Sequence, residues 1–166
     1  MTLPLLPDVE ADAIVSPDGL YRYALTRKWE DGPDLVWVML NPSTADATED
    51  DPTIRKCQKF AQTWGFSGIS VVNLFAYRAT DPADLLLVDD PVGPGNDVVL
   101  QAVFEEAGNV MAAWGAATVA TYRADPVLDL MADANRTPYV LGLTKAGAPR
   151  HPLYIRDTTS PQEWKR

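Results

Sequence analysis

Unbroken apolar runs alternate with helix-like segments along this chain, and that alternation sets the expected architecture. Leu35-Val36-Trp37-Val38-Met39-Leu40 is apolar throughout and lies between the turn Asp31-Gly32-Pro33-Asp34 and a polar loop, 41–51. Such a run suits a strand buried on both faces. Asp51-Pro52 then reads as a helix start, an acidic cap followed by proline at the first helical position. Ile54, Cys57, Ala61 and Trp64 recur three and four residues apart, which gives one apolar helix face. Gly65 closes that helix. Ile69 to Phe75 is a second buried strand, Val110 to Trp114 a third and Tyr139 to Leu143 a fourth.

Between these strands the pattern is helical. Asp81-Pro82 suits the start of a short helix, Asn96 can cap a helix over 97–107, and a further helix is expected across about 116–134. Tyr21 to Trp29 alternates as a strand does, with an edge of the sheet as a fitting place. Residues 1–19 hold three prolines and little periodicity, so an extended N-terminal arm is expected before a core at 20–156. Strand, helix, strand, helix, strand, helix, strand predicts a parallel sheet sandwiched between helices in one domain of 166 residues.

Composition narrows the class. With 46% hydrophobic and 22% charged residues the chain is an ordinary globular protein, and no apolar run reaches the ~18 residues of a spanning helix. The N-terminus lacks a basic start and an apolar signal core, so a cytoplasmic location is expected. The lone Cys57 excludes an internal disulfide and a multi-cysteine zinc site; it falls on the apolar helix face, where a core thiol is expected. Neither Gly93-x-Gly95 nor any other segment forms a dinucleotide fingerprint or a phosphate-binding loop. No cofactor and no metal site is therefore expected.

The formal charge of −9 argues against broad non-specific binding to duplex nucleic acid. Its distribution is uneven. Residues 81–106 carry 7 acids and no base, whereas 52–80 carry 4 bases and no acid, and 136–166 carry 6 bases against Asp157 and Glu163. Folding can join the two cationic stretches into one anion-binding face, or they can balance acidic neighbours.

In an open parallel α/β sheet, ligands collect beyond the carboxyl ends of the strands. The polar residues that follow the apolar runs are therefore the candidate site. Asn41, Pro42, Ser43 and Thr44 follow the first run, and the amide of Asn41 can read a base edge, hold a water or close its own turn. Asp46, with Glu49, Asp50 and Asp51, makes a carboxylate-rich loop that can activate water, hold a divalent cation or, as the favoured reading, simply be solvated with Asp51 as helix cap. Asn73, late in a buried strand, needs partners, whether a ligand or a structural hydrogen bond. Phe75, Tyr77 and Trp114 can wall a planar ligand or pack in the core, and Arg78 can fork to a phosphate or pair at the surface. His151, the only histidine, lies between Arg150 and Pro152 and can bind phosphate or donate to a developing anion.

Longer motifs carry a resemblance. From Met39-Leu40-Asn41-Pro42-Ser43-Thr44-Ala45-Asp46, Asp50-Asp51-Pro52-Thr53-Ile54-Arg55-Lys56-Cys57, Val72-Asn73-Leu74-Phe75-Ala76-Tyr77-Arg78-Ala79-Thr80-Asp81-Pro82 and His151-Pro152-Leu153-Tyr154, the chain is identified as a member of an uncharacterised bacterial and phage family. This is number sixteen-forty-three of the domain-of-unknown-function series, over about residues 15–156. The order of motifs also resembles the uracil-DNA glycosylase superfamily, which implies a three-layer α/β/α sandwich with a short parallel sheet. In that superfamily a first-strand loop positions the hydrolytic water, a later asparagine reads the base, and a final His-Pro-Ser loop grips phosphate and stabilises the departing base. By this likeness Asn41 matches the water-positioning place, Asn73 the base reader, and His151-Pro152 the last motif. The chain departs from the pattern at Leu40, where the first motif has glycine, at Pro42-Ser43, and at Leu153-Tyr154, where the serine is missing. Those departures put base excision in question and leave a base or nucleotide pocket intact.

Three functions follow as expectations. The first is a nucleobase- or nucleotide-recognising hydrolase of glycosylase type, acting in DNA modification or repair on a flipped base or a nucleotide. In it Asn41 or Asp46 positions water, Asn73 reads the base and His151 offsets leaving-group charge. The second is a nucleotide- or nucleic-acid-binding module without turnover. The third is an acidic protein-interaction or DNA-mimic protein, which the acidic stretch 81–106 permits.

Overall fold

The computed structural model describes residues 9–43 and 51–165. Seven strands form one mixed sheet: β1 (Glu10–Val15), β2 (Arg22–Lys28), β3 (Asp34–Met39), β4 (Gly68–Asn73), β5 (Asn109–Ala112), β6 (Pro138–Val140) and β7 (Gln162–Glu163), in the order β1-β2-β4-β3-β5-β6-β7. The four strands expected from the apolar runs are its parallel centre, β4-β3-β5-β6. β1, β2 and β7 are added antiparallel at the flanks, so the sheet is mixed rather than purely parallel.

Side-chain parity assigns the helices to faces. Leu35, Trp37 and Met39 of β3 point to the side covered by α1 (Pro52–Thr63), against Ile54, Cys57, Phe60 and Ala61. Val36, Val38 and Leu40 point the other way, onto Leu100 and Phe104 of α2 (Asn96–Glu106) and Val127, Leu128 and Met131 of α3 (Ala124–Asp133). The period-two alternation was hidden in the sequence because both faces are buried. Rings of Trp37, Phe60 and Trp64, with centroids 5.1 to 6.1 Å apart, fill the space between β3 and α1. Cys57 is fully buried there, and burial pushes its thiol well above the usual value.

Four expectations change. Residues 10–15 of the supposed arm are the edge strand β1, exposed at every residue but Ala13; a strand held by hydrogen bonds rather than burial leaves no hydrophobic period to read. β2 is interior, between β1 and β4. Asn96 is not a helix cap: Gly95 takes that place, and Asn96 is the first helical residue, 0% exposed. The helix expected over 116–134 is a 3-10 turn, Thr118–Tyr122, followed by α3. Pro126 explains the break, because proline fits the first turn of α3 and would disrupt the interior of a longer helix. Among the described residues no helix is long and apolar enough to cross a membrane.

The chain order creates a crevice. From β3 the chain crosses by α1 to β4 on one side, then returns past β3 to β5 and continues by α3 on the opposite face. Neighbouring strands whose connections leave on opposite faces open a gap at their carboxyl ends, and such switch points are where ligands bind in α/β sheets.

Candidate functional site

A cavity of about 220 Å³ opens at that switch point, bordered by the ends of β3, β4 and β5 and by the loop carrying His151. Met39, Val71 and Ile54 form its apolar floor; Arg22, Asn41, Ser43, Asp51, Asn73, Trp114 and His151 contribute its polar and aromatic walls.

Asn73 is the last residue of β4 and continues the face of Ile69 and Val71, opposite Met39 in the parallel register. It is only 3% exposed, and its side-chain amide has no hydrogen-bond partner among the described residues. Its backbone is clamped. The fully buried Asn96 amide donates to Asn73 O at 3.1 Å and Leu74 O at 3.2 Å, and Arg123 Nε donates to Leu74 O at 3.0 Å. Arg123 is itself paired with Asp97. The strand end is thus rigid while the amide it carries faces open space, an arrangement that is costly unless a ligand or water pairs it.

Asn41 follows β3 and is turned toward the loop after β4. Its Nδ2 donates to Ala79 O at 2.8 Å and Pro42 O at 3.1 Å, and Ala79 N donates back to Pro42 O at 3.1 Å. Both amide hydrogens are used in holding two loops together, so only Oδ1 is left to accept. Asp51 caps α1 by accepting from Ile54 N at 2.8 Å, and its other oxygen accepts from Ser43 Oγ at 3.2 Å.

His151 is held by backbone geometry. Gly115, at φ 80°, turns the chain after β5 so that its N–H donates to Pro149 O at 2.9 Å, and Arg150 N donates to Gly142 O at 3.0 Å. A side chain at Gly115 would be strained in that left-handed conformation. His151 Nδ1 accepts from Leu153 N at 3.2 Å, which places the hydrogen of the neutral ring on Nε2. Burial lowers the His151 pKa, and the Asp51 carboxylate partly opposes that. The ring is therefore a neutral donor at neutral pH. Further along, Asp157 receives Lys56 and Lys59 of α1 at 2.5 and 2.6 Å, which holds its carboxyl at about 2 and ties this segment to the helix that Asp51 caps.

The structure brings Asn41, Pro42, Ser43, Asn73, Trp114 and His151 around one cavity. It does not bring four other expected residues there. Phe75, 4% exposed, packs in the core under α2 and α3, because β4 ends at Asn73 and the backbone turns beyond it, where Phe75 N donates to Leu40 O at 3.0 Å. Tyr77 packs edge-on against Tyr21 at 5.9 Å. Arg78 donates to Gly19 O at 3.3 Å and does not line the cavity. Arg150 turns to Leu143 O at 3.2 Å and borders an adjoining void instead. Thr44 and Asp46 lie outside the described residues. Among the described residues no group of three or more His, Cys, Asp or Glu is placed to hold a metal ion.

One cavity residue was not anticipated, and another combines two expected roles. Arg22, on β2, is 5% exposed and lines the cavity near Asp51; burial, then the neighbouring Arg78, lower its pKa, while Asp51 raises it. The signal was a cation inside an otherwise apolar strand, Tyr21-Arg22-Tyr23-Ala24-Leu25. Asp51 was expected as a helix cap or as part of a water-activating carboxylate loop, and it both caps α1 and lines the cavity.

The family described as a protein of unknown function (DUF1643) matches residues 22–153, a span that holds every residue of this cavity, and the chain belongs to that family. No curated protein and no solved structure matches the chain.

Proposed function

We propose that this member of the family recognises a nucleobase in the switch-point cavity. The observation that carries the reading is Asn73: a carboxamide 3% exposed, unpartnered among the described residues and set in the cavity wall. An amide offers a donor and an acceptor side by side, the complement of a base edge. Trp114 supplies an aromatic wall, and His151 Nε2 supplies a neutral donor for a ring carbonyl or nitrogen. The volume of about 220 Å³ lies below the ~300–1,000 Å³ of sites for drug-sized ligands, so it suits one ring rather than a whole cofactor. The order of motifs that resembles the uracil-DNA glycosylase superfamily supports the same reading, and so does the placement of helices on both faces of the sheet.

On this reading the reaction is hydrolysis of an N-glycosidic bond. Water held beside Asn41 Oδ1 and Asp51 attacks C1′ and gives up a proton to the Asp51 carboxylate. The glycosidic C–N bond breaks with its electrons moving to the base, His151 Nε2–H hydrogen-bonds the anion that leaves, and the released base takes a proton from solvent. The test is incubation with oligonucleotides bearing uracil, hydroxymethyluracil and common lesions, and with nucleosides. Release of free base, lost in Asn73→Leu and His151→Gln, is the expected result. A thermal-shift screen against bases, nucleosides and nucleotides measures recognition independently, since a ligand that binds only the folded state raises Tm. If no such compound shifts Tm, the base reading fails.

A second reading, base binding without turnover, is favoured by Asn41. Its two donors are committed to Ala79 O and Pro42 O, which suits a structural brace better than a group that moves with a reacting water. Binding in the screen with no base released in any incubation would select it.

A further inference from the structure

Two more cavities adjoin the first. One, of about 320 Å³, lies against Trp114 and is also walled by Trp164 and by Ala117, Ala120 and Ala124. The Trp114 and Trp164 rings are 5.7 Å apart at 59°, so the two indoles form a corner facing small side chains. The other, of about 250 Å³, is bordered by His151, Arg150, Thr144 and Tyr154. The three share walls: Trp114 borders the first and second, His151 the first and third, and Gly115 and Ala116 the second and third. Their chemistry differs in order around that corner. The first holds Asn73 and reads a polar edge. The third is mostly apolar, with Arg150, the His151 ring and the Thr144 hydroxyl as the polar groups on its border. The second offers two indoles, with the Thr121 hydroxyl and the Asp125 carboxylate also on its border.

We propose that these are subsites for one ligand made of two planar rings joined by an anionic group, namely two linked nucleotides. One base sits with Asn73, the linking phosphate beside Arg150, and the second base in the Trp114–Trp164 corner. The inference rests on the base reading of the first cavity and goes beyond it by naming the ligand class. Trp114, 3% exposed, then separates the two rings, and aromatic stacking of this kind is tolerant of base identity. The linking anion meets its cation at the junction of the two ring sites, which explains why Arg150 borders the third cavity and not the first. A chain with net charge −9 gains little from long polyanions, so a short linked ligand held by cavities suits it better than duplex-wide contacts.

Calorimetric titration of the full chain tests this with d(ApA), d(CpC), d(GpG) and d(TpT), each against its 5′-mononucleotide. At least one dinucleotide is expected to bind 10-fold or more tightly than its mononucleotide. In Arg150→Gln that ratio falls at least threefold, and the slope of log affinity against log salt shrinks by about 0.7, as for one phosphate contact on a single strand. In Ala124→Leu, whose added carbons fill the second cavity, the ratio drops towards one. Mononucleotides that bind while no dinucleotide exceeds them by more than twofold overturn the inference and leave the base reading standing. A ratio unchanged in Arg150→Gln, an exposed substitution that does not depend on core repacking, also overturns it. If neither mononucleotide nor dinucleotide binds, both readings fall.

Discussion

Replacing Asn73 by leucine is expected to stabilise the ligand-free protein while removing base recognition. Leucine has nearly the shape of asparagine and no polar atoms to satisfy. Asn73 is 3% exposed as a residue and its amide makes no hydrogen bond to a described residue, but neither amide atom is among the fully buried unpartnered ones. Only part of the ~1–3 kcal/mol that an unpaired buried amide costs therefore applies. Water admitted by the cavity recovers part of that, so the net gain in N73L is about 1 kcal/mol, with the poor strand propensity of asparagine adding in the same direction. For a chain of this size such a gain raises Tm by roughly 2–4 °C. Urea denaturation at constant m and a thermal melt measure it. Base affinity, read by the thermal-shift screen, is expected to fall by roughly 5- to 150-fold, the 1–3 kcal/mol of one amide–base contact. A loss of more than 1 kcal/mol of stability in N73L would show that the amide makes a structural hydrogen bond, and the reasoning would be refuted. A stable variant that still binds bases would refute the role as reader. Stability given up at a binding residue is the pattern expected of functional sites.

Asp51→Ala should cost about 1 kcal/mol in urea unfolding by removing the cap on Ile54 N, whereas Asp51→Ser should recover most of that, serine being nearly as good a cap. The comparison separates the capping role from any effect on the cavity. His151 favours its neutral form on folding, so its contribution to stability is present above the ordinary value of 6.5 and is lost as pH falls through the lower folded pKa. The Tm of wild type measured against pH should fall across that interval more than the Tm of His151→Gln, and an NMR titration of the single imidazole should report a midpoint below 6.5. Asn96→Ala removes both donors that hold Asn73 O and Leu74 O; a loss of about 1–3 kcal/mol is expected, together with weaker base binding. Unchanged stability in Asn96→Ala would mean that these bonds do not anchor the end of β4.

Much of this protein could be read along the chain because local chemistry decides it. The four parallel strands are unbroken apolar runs, and Asp51-Pro52 announces α1 by a capping preference that acts over three residues. The region of the candidate cavity followed from one general property of α/β sheets, that polar loops after buried strands gather at one end. Which of those loop residues meet was decided elsewhere. Asn73 and Phe75 are two residues apart, yet Asn73 ends β4 facing the cavity whereas Phe75, beyond the strand, packs into the opposite core; where pairing stops and the backbone turns is set by Leu40 and Val92 across the fold, not by neighbours in the chain. Asn96 looked like a cap because a local rule favours it, and long-range packing against β4 gave it another task. Arg22 joins the cavity only because β2 pairs beside β4, and β1 escaped notice because its stability comes from hydrogen bonds that leave no hydrophobic period. Local preference and burial pattern therefore specified the elements and the end of the sheet where the candidate cavity opens. Strand pairing and side-chain direction, which depend on residues far apart in sequence, selected the groups that face one another in it.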